Sequence, residues 1–311
     1  MRRFAPVFTV VTAGLIWLGT HPVSGTAQTR TAESVLAAAR AALGGEAKIA
    51  AVKTFIATGR TRQVRGENLV PIEFEIQAEF PDKFSRRDEF PAQDSGPVNA
   101  GFVGDQLVLI PRPAPSPPRP GMPAPPPGAQ DAMFRARLMT IKQDFTWLML
   151  GMFAGTPPSV PLTYTYVGQA EAPQGKADVI DAKSGPLTYR LFINADSGLP
   201  IMVSWQSPMR PGGPGPGGPI GPGGPPPAGP GGPPPAAAGA QPPASLGGPP
   251  PGAKPAPEQR VFFAEYKDVD GLKLPFRVRR AVGADTTEET TFDRYRINAK
   301  VDPRRFDTTT K

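Results

Sequence analysis

Residues 194–203 (NADSGLPIMV) and residues 268–278 (DVDGLKLPFRV) follow almost the same pattern. Each stretch places an Asp and a Gly between two runs of residues that favour β-strands. Asp can hydrogen-bond its own backbone in a tight turn, and Gly adopts a positive φ without steric cost. Both stretches therefore predict antiparallel hairpins, and they indicate a chain that folds around a β-sheet.

Strict alternation over residues 70–80 supports the same conclusion. Ile72, Phe74 and Ile76 alternate with Glu73 and Glu75, so one face of the predicted strand is apolar and the other is polar. This pattern is typical of an antiparallel sheet that is covered on one side and wetted on the other. Counting such segments along the whole chain predicts about ten strands.

A helix is predicted over residues 130–154, within an otherwise β-rich sequence. Its apolar residues recur at spacings of four and three and form a broad stripe: Met133, Phe134, Leu138, Ile141, Phe145, Leu148, Met149 and Met152. A stripe this wide has to be buried against another surface. The concave face of the sheet is the surface available to it.

Two interpretations of this helix remain open. It either fills a one-sided core, or it covers an apolar cavity whose lining also includes Phe74 and Ile76 of the sheet. Met side chains are flexible and polarizable, which suits a pocket that accepts varied acyl chains. Under the second interpretation, the stripe and these two sheet residues form the predicted ligand-binding site.

The residue types required for many enzyme mechanisms are missing. The chain has no Cys and one His, His21, which lies in a predicted leader. The mature protein would therefore lack Ser-His-Asp and Cys-His sites, thiol redox chemistry and zinc sites of the usual kind. The Glu residues of positions 73–79 are expected to be solvated, and Asp268 and Asp270 fit a turn better than a calcium site. We predict a non-enzymatic protein without catalytic residues, metal or cofactor.

Residues 1–27 have the three parts of a signal peptide. Arg2 and Arg3 precede an apolar run over residues 7–19, and small residues follow at positions 24–27. The run is shorter than the roughly 20 residues that span a bilayer as a helix. We therefore expect export, cleavage, a soluble periplasmic protein and no stable membrane span.

Two Pro-rich segments divide the remaining chain. Residues 111–128 are predicted to form a Pro-rich loop, and residues 208–257 a disordered Pro/Gly-rich insertion, because neither can bury enough apolar surface. Residues 28–207 and 258–311 would then form one domain. The formal charge is +7, but the basic residues are scattered and no nucleic-acid-binding motif accompanies them. Nucleic acid is not an expected partner, whereas anionic lipid headgroups remain an alternative.

Several longer phrases carry a family resemblance. They are AALGGEAKIAAVKTFIATGRTR (residues 41–62), FPDKFSRRDEF (80–90), INADSGLP (193–200), EYKDVDGLKLPFRVRR (265–280) and INAKVDPRRF (297–306). Their order resembles the periplasmic lipoprotein-carrier superfamily, the LolA/LolB-like group of outer-membrane lipoprotein-sorting proteins. The resemblance covers most of the chain outside the leader and the Pro-rich segments.

The resemblance implies both a fold and a function. The fold is mainly β (α+β), an antiparallel, curved, unclosed β-barrel with helices packed in its concave face. The implied function is binding of lipid or lipoprotein acyl chains by a carrier or sensor in the cell envelope. An arginine near the cavity mouth releases cargo in this family, and no equivalent is assigned in this sequence. The alternative is a structural or interaction protein without a ligand cavity, whose Pro/Gly-rich arm contacts an envelope protein as partner.

Overall fold

A computed structural model describes residues 30–65, 68–91, 96–112, 127–172, 175–185, 187–206 and 257–308. The predictions for residues 1–27, and most of those for residues 111–128 and 208–257, lie outside these ranges. Among the described residues, no helix combines the length and apolar character needed to cross a membrane.

The described chain is built mainly from strands. Its three α-helices are α1 Ala32–Ala42, α2 Glu46–Ala50 and α3 Ala129–Phe153, and a short 3-10 helix covers Pro303–Phe306. The strands are β1 Thr54–Arg65, β2 Asn68–Glu79, β3 Lys83–Glu89, β4 Val98–Val103, β5 Gln106–Ile110, β6 Thr163–Ala172, β7 Gly175–Ser184, β8 Leu187–Asn194, β9 Pro200–Gln206, β10 Glu258–Val269, β11 Leu272–Val282 and β12 Asp285–Ile297.

All twelve strands belong to one antiparallel sheet. Their order is β5-β4-β3-β2-β1-β12-β11-β10-β9-β8-β7-β6, so β5 and β6 lie at opposite edges and the sheet is not closed. The pairing of β1 with β12 joins the two ends of the described chain. The pairing of β9 with β10 makes the strands on either side of residues 207–256 direct neighbours. The predicted fold class, an unclosed antiparallel sheet with helices packed on it, is confirmed.

Both hairpins predicted from the repeated phrase are present. Asp270 and Gly271 have φ values of 54° and 79°, as a two-residue turn between β10 and β11 requires. The Gly271 N–H also donates to Asp268 Oδ1 at 3.1 Å. In the turn between β8 and β9, Asn194 Oδ1 accepts from the Asp196 and Ser197 N–H groups. The side chain that accepts these two hydrogen bonds is the Asn that opens the phrase.

Burial changes along the length of α3. All of its buried residues lie between positions 141 and 153, and none lies between positions 129 and 140. In the buried half, the Phe145 ring centroid lies 5.1 Å from that of Phe84 and 5.3 Å from that of Phe102. Near the end of the helix, the Tyr266 hydroxyl lies 2.8 Å from both the Gly151 and the Pro200 carbonyl oxygens. The C-terminal half of α3 is thus fixed to the sheet, whereas its N-terminal half is more exposed.

The polar face of β2 is less exposed to solvent than the alternation of polar and apolar residues predicts. Gln77 is 5% exposed, because the segment around the 3-10 helix covers it from the outer side of the sheet. The Asp302 N–H donates to Gln77 Oε1 at 2.8 Å, and the Arg305 guanidinium donates to Glu75 Oε1 at 2.5 Å. The expectation of a fully solvated face is therefore wrong at this point, and the contact responsible joins residues more than 200 positions apart.

Candidate functional site

A cavity of about 440 Å³ lies between the edge strand β5 and the exposed half of α3. This volume falls within the roughly 300–1,000 Å³ that is usual for small-molecule sites. Residues from three parts of the chain line it: Gln106, Leu107, Leu109, Arg112, Phe134, Asp307 and Thr308.

Strand register places the apolar wall of the cavity on the inner side of the sheet. Leu107 pairs with Phe102 and Leu109 pairs with Ala100. Directly opposed residues of an antiparallel pair share a face, and Phe102 is packed against Phe145 of α3. Leu107 and Leu109 therefore lie on the face of the sheet that α3 covers. The part of α3 opposite them, around Phe134, is not buried.

Phe134 forms the opposite wall, and a cation lies beside it. The guanidinium carbon of Arg112 lies 5.6 Å from the centroid of the Phe134 ring, within the range of a cation–π contact. Arg112 is exposed, as expected for a charge at the rim of an apolar pocket. Asp307 and Thr308 complete the rim from the C-terminal segment. Three apolar and four polar or charged residues thus line a half-open groove, so a ligand bound there would contact both kinds of surface.

The structure divides the predicted binding residues into two groups. Phe134 lines the cavity, Leu138 is half-buried on the same half of α3, and Met133 is 55% exposed. The others are buried in the packed core: Phe74, Ile76, Ile141, Phe145, Leu148, Met149 and Met152. The predicted binding site did not include Leu107 and Leu109. Residues 107–110 (LVLI) are all apolar, so no alternation marked which of them face the helix.

Under the middle of α3, the inner face of the sheet is charged. Arg86 Nε donates to Asp88 Oδ1 at 2.7 Å, and Arg86 Nη2 donates to Thr61 Oγ1 at 3.2 Å. Burial disfavours the charged form of Arg86, but Asp88 and Glu288 outweigh this effect and hold its pKa above the ordinary value. The inner face thus changes from apolar to ionic along the helix.

One ion pair joins α3 to this charged zone. Arg280 Nη2 lies 3.5 Å from Asp144 Oδ1, and the Trp147 indole N–H donates to the same oxygen at 2.9 Å. Arg137 lies on the same helix face, where burial lowers its pKa despite the attraction of Asp144 and Asp88. Within the described ranges, no group of His, Cys, Asp and Glu side chains is arranged to hold a metal ion.

Comparisons with known proteins bear on the fold alone. No family model and no curated protein matches the sequence. Among solved structures, a LolA superfamily protein from Nitrosomonas europaea is similar, with 9% identity, coverage of 89% of this chain and 98% of that chain, and a TM-score of 0.49. A putative outer membrane lipoprotein-sorting protein domain from Vibrio parahaemolyticus has 9% identity, coverage of 88% and 96%, and a TM-score of 0.45.

A third similar structure is a DUF1329 family protein from Desulfovibrio piger, with 6% identity, coverage of 89% and 97%, and a TM-score of 0.44. All three likenesses extend over nearly the whole of the other chain. The first two of these structures carry the description of the family that the sequence phrases resemble.

Proposed function

We propose that this protein is an exported, non-enzymatic binding protein of the cell envelope. It takes the apolar chain of a lipid, an acylated polypeptide or another amphiphile into the cavity beside α3. The observation that carries the proposal is the cavity itself, with Leu107 and Leu109 on one wall and Phe134 on the other. Its charged rim would keep a polar head in contact with water.

The two halves of α3 have different roles in this proposal. The N-terminal half, with Met133, Phe134 and Leu138, contacts the ligand at the cavity and its entrance. The C-terminal half anchors the helix, because Phe145 and the residues after it are packed against the sheet. The buried residues of the predicted site would then support the cavity from below.

A second candidate is a structural or interaction protein without a ligand. The dense packing of Phe145 between Phe84 and Phe102 favours it, because that part of the concave face is filled by side chains. The two candidates differ in what they require of the cavity at β5. A carrier or sensor needs it to accept an apolar chain, whereas a structural protein does not.

Binding of a fluorescent fatty acid, 11-(dansylamino)undecanoic acid, separates the two candidates. The parent protein should bind it at one saturable site. Phe134→Asp should weaken binding by at least about tenfold, since burying apolar surface of this size contributes about 1.5–3 kcal/mol. Phe134 is only half-buried, so the variant should remain folded and lose less than about 1.5 kcal/mol of stability.

Met139→Asp is the matched control, because Met139 is 71% exposed on the same half of the helix and does not line the cavity. It introduces the same charge and should leave probe binding unchanged. Absence of saturable binding by the parent, or equal weakening in both variants, would favour the structural protein.

A further inference from the structure

The groove beside α3 borders an edge of the sheet. Strand β5 is the last in the strand order, and among the described strands it pairs with β4 alone. Its residues, Gln106–Ile110, include no charge and no Pro, and its register with β4 has no bulge. Charges, Pro and bulges are the usual features that keep a further strand from pairing with an edge. β5 has none of the three.

The opposite edge of the sheet is different. In β6, the register with β7 shifts between Tyr166 and Gly168, and Gly168 has a φ of 145°. A bulge of this kind bends the strand and increases its twist, which hinders the pairing of another strand. Of the two edges, β5 is therefore the one suited to receive an added strand.

A hydrogen bond at the end of β4 shows which way the backbone of this strand points. The Gly104 N–H donates to the Asp82 carbonyl oxygen at 2.9 Å, on the side of β3. Successive residues of a strand direct their N–H and C=O groups to opposite sides. Phe102 and Ala100, two and four positions before Gly104, thus direct these groups toward β3 and away from β5.

The backbone of β5 follows from this direction. Phe102 pairs with Leu107, and Ala100 pairs with Leu109. Both are non-hydrogen-bonded pairs, so the N–H and C=O groups of the two leucines point away from β4, to the open edge. Among the hydrogen bonds of the described residues, none engages these four groups. Two donors and two acceptors are thus available to a further strand.

The same two leucines also form the apolar wall of the groove. Directly opposed residues of an antiparallel pair share a face, so the residues of an added strand opposite Leu107 and Leu109 would point toward Phe134. These two residues would be two positions apart, and the apolar wall favours apolar side chains there. The rim carries one charge of each sign, Arg112 and Asp307, so it contributes orientation more than net attraction.

We propose that the groove binds an extended polypeptide segment, which pairs with β5 as an antiparallel thirteenth strand. Two of its apolar side chains, two positions apart, pack between the leucines and Phe134. An acidic residue on the N-terminal side of the segment lies next to Arg112, because an antiparallel strand begins at that end of β5. The inference goes beyond the proposed function, since the edge recognises a peptide backbone. An apolar chain and the peptide would share the groove and compete for it.

Fluorescence anisotropy with a labelled peptide, Glu-Thr-Leu-Thr-Leu-Thr, tests the added strand on the parent protein. The parent should bind it at one saturable site, and dodecanoate should displace it. N-methylation of the first leucine removes an N–H that faces β5 and should weaken binding by about tenfold or more, because a ladder hydrogen bond is lost and its acceptor stays unpaired. N-methylation of the threonine between the leucines is the matched control. Its N–H faces away from β5, so binding should be unchanged.

Two variants of one residue provide the test from the side of the protein. Leu109→Ala and Leu109→Pro both remove the leucine side chain, but only Pro also removes the N–H at the open edge. Leu109→Pro should bind the peptide about tenfold more weakly than Leu109→Ala. Both should bind 11-(dansylamino)undecanoic acid equally, because the fatty acid does not use the backbone. Their melting temperatures should agree, since Pro is tolerated on an edge strand where the N–H faces away from the neighbouring strand.

Four results would overturn the inference. Equal effects of the two N-methyl groups would show that side chains alone bind the peptide, and peptide that dodecanoate does not displace would lie outside the groove. A parent dimer that Leu109→Pro dissociates would assign the edge to a second copy of the chain. Binding of the fatty acid without the peptide would exclude the added strand and leave the proposed function intact. Peptide binding with the expected N-methyl pattern but without fatty-acid binding would support the inference and contradict the proposed function.

Discussion

Gly151→Ala is expected to lower the free energy of unfolding by about 2–3 kcal/mol, near the upper end of what overpacking a core usually costs. A Cβ at this position would lie 2.2 Å from two ring carbons of Phe263. Phe263 is 3% exposed and cannot swing into solvent. The better helix propensity of Ala recovers only about 1 kcal/mol. The clash is larger, so the net change in the free energy of unfolding is a loss. Urea unfolding followed by circular dichroism measures the effect.

Two further variants show whether the clash is the cause. Gly155→Ala places a Cβ 3.2 Å from the Arg40 guanidinium, the end of a flexible side chain, and should change stability little. Phe263→Leu should partly rescue Gly151→Ala in a double-mutant cycle, because it removes the ring that the new methyl group meets. A Gly151→Ala protein as stable as the parent would mean that α3 does not approach β10 this closely.

Phe145→Ala should be the most destabilising truncation on α3, with a loss of about 3–5 kcal/mol. Its ring is 1% exposed and touches Phe84 and Phe102, so the truncation leaves a cavity that these rings cannot fill. Phe134→Ala is the same chemical change three helical turns earlier. It should cost less than about 1.5 kcal/mol, the smallest value for a fully buried Phe, because Phe134 is half-exposed.

The same urea titration compares the two truncations. Similar losses for Phe134→Ala and Phe145→Ala would mean that α3 is buried along its whole length. The cavity beside β5 would then be part of a closed core, and the division of the helix into an anchor and a binding half would fail.

Local signals predicted the elements of this fold well. The Asp270-Gly271 turn follows from residue chemistry, since few other pairs tolerate two positive φ values in succession. The apolar stripe of α3 followed from its period, which identifies the face that turns inward. Both features depend on residues that are close together in the chain, so the local sequence pattern is enough to predict them.

Features that depend on distant contacts were not predictable in this way. The alternation of β2 assigned Gln77 to water, but the C-terminal segment covers it through Asp302. The period of α3 likewise shows which face turns inward without showing whether anything packs there, so Phe134 and Phe145 looked equivalent. The cavity also needs Leu107, Leu109 and Thr308, which meet only once the strand order and the path of the C-terminal segment are fixed.

An apolar chain should bind beside the exposed half of α3 and leave the buried half in place. Leucine-methyl NMR during titration with dodecanoate tests it directly, because leucines report on both regions. We expect saturable shifts for Leu107 and Leu109, which line the cavity, and unchanged signals for Leu148 and Leu150 in the core. Shifts confined to Leu148 and Leu150, or no shift in any of the four, would contradict it.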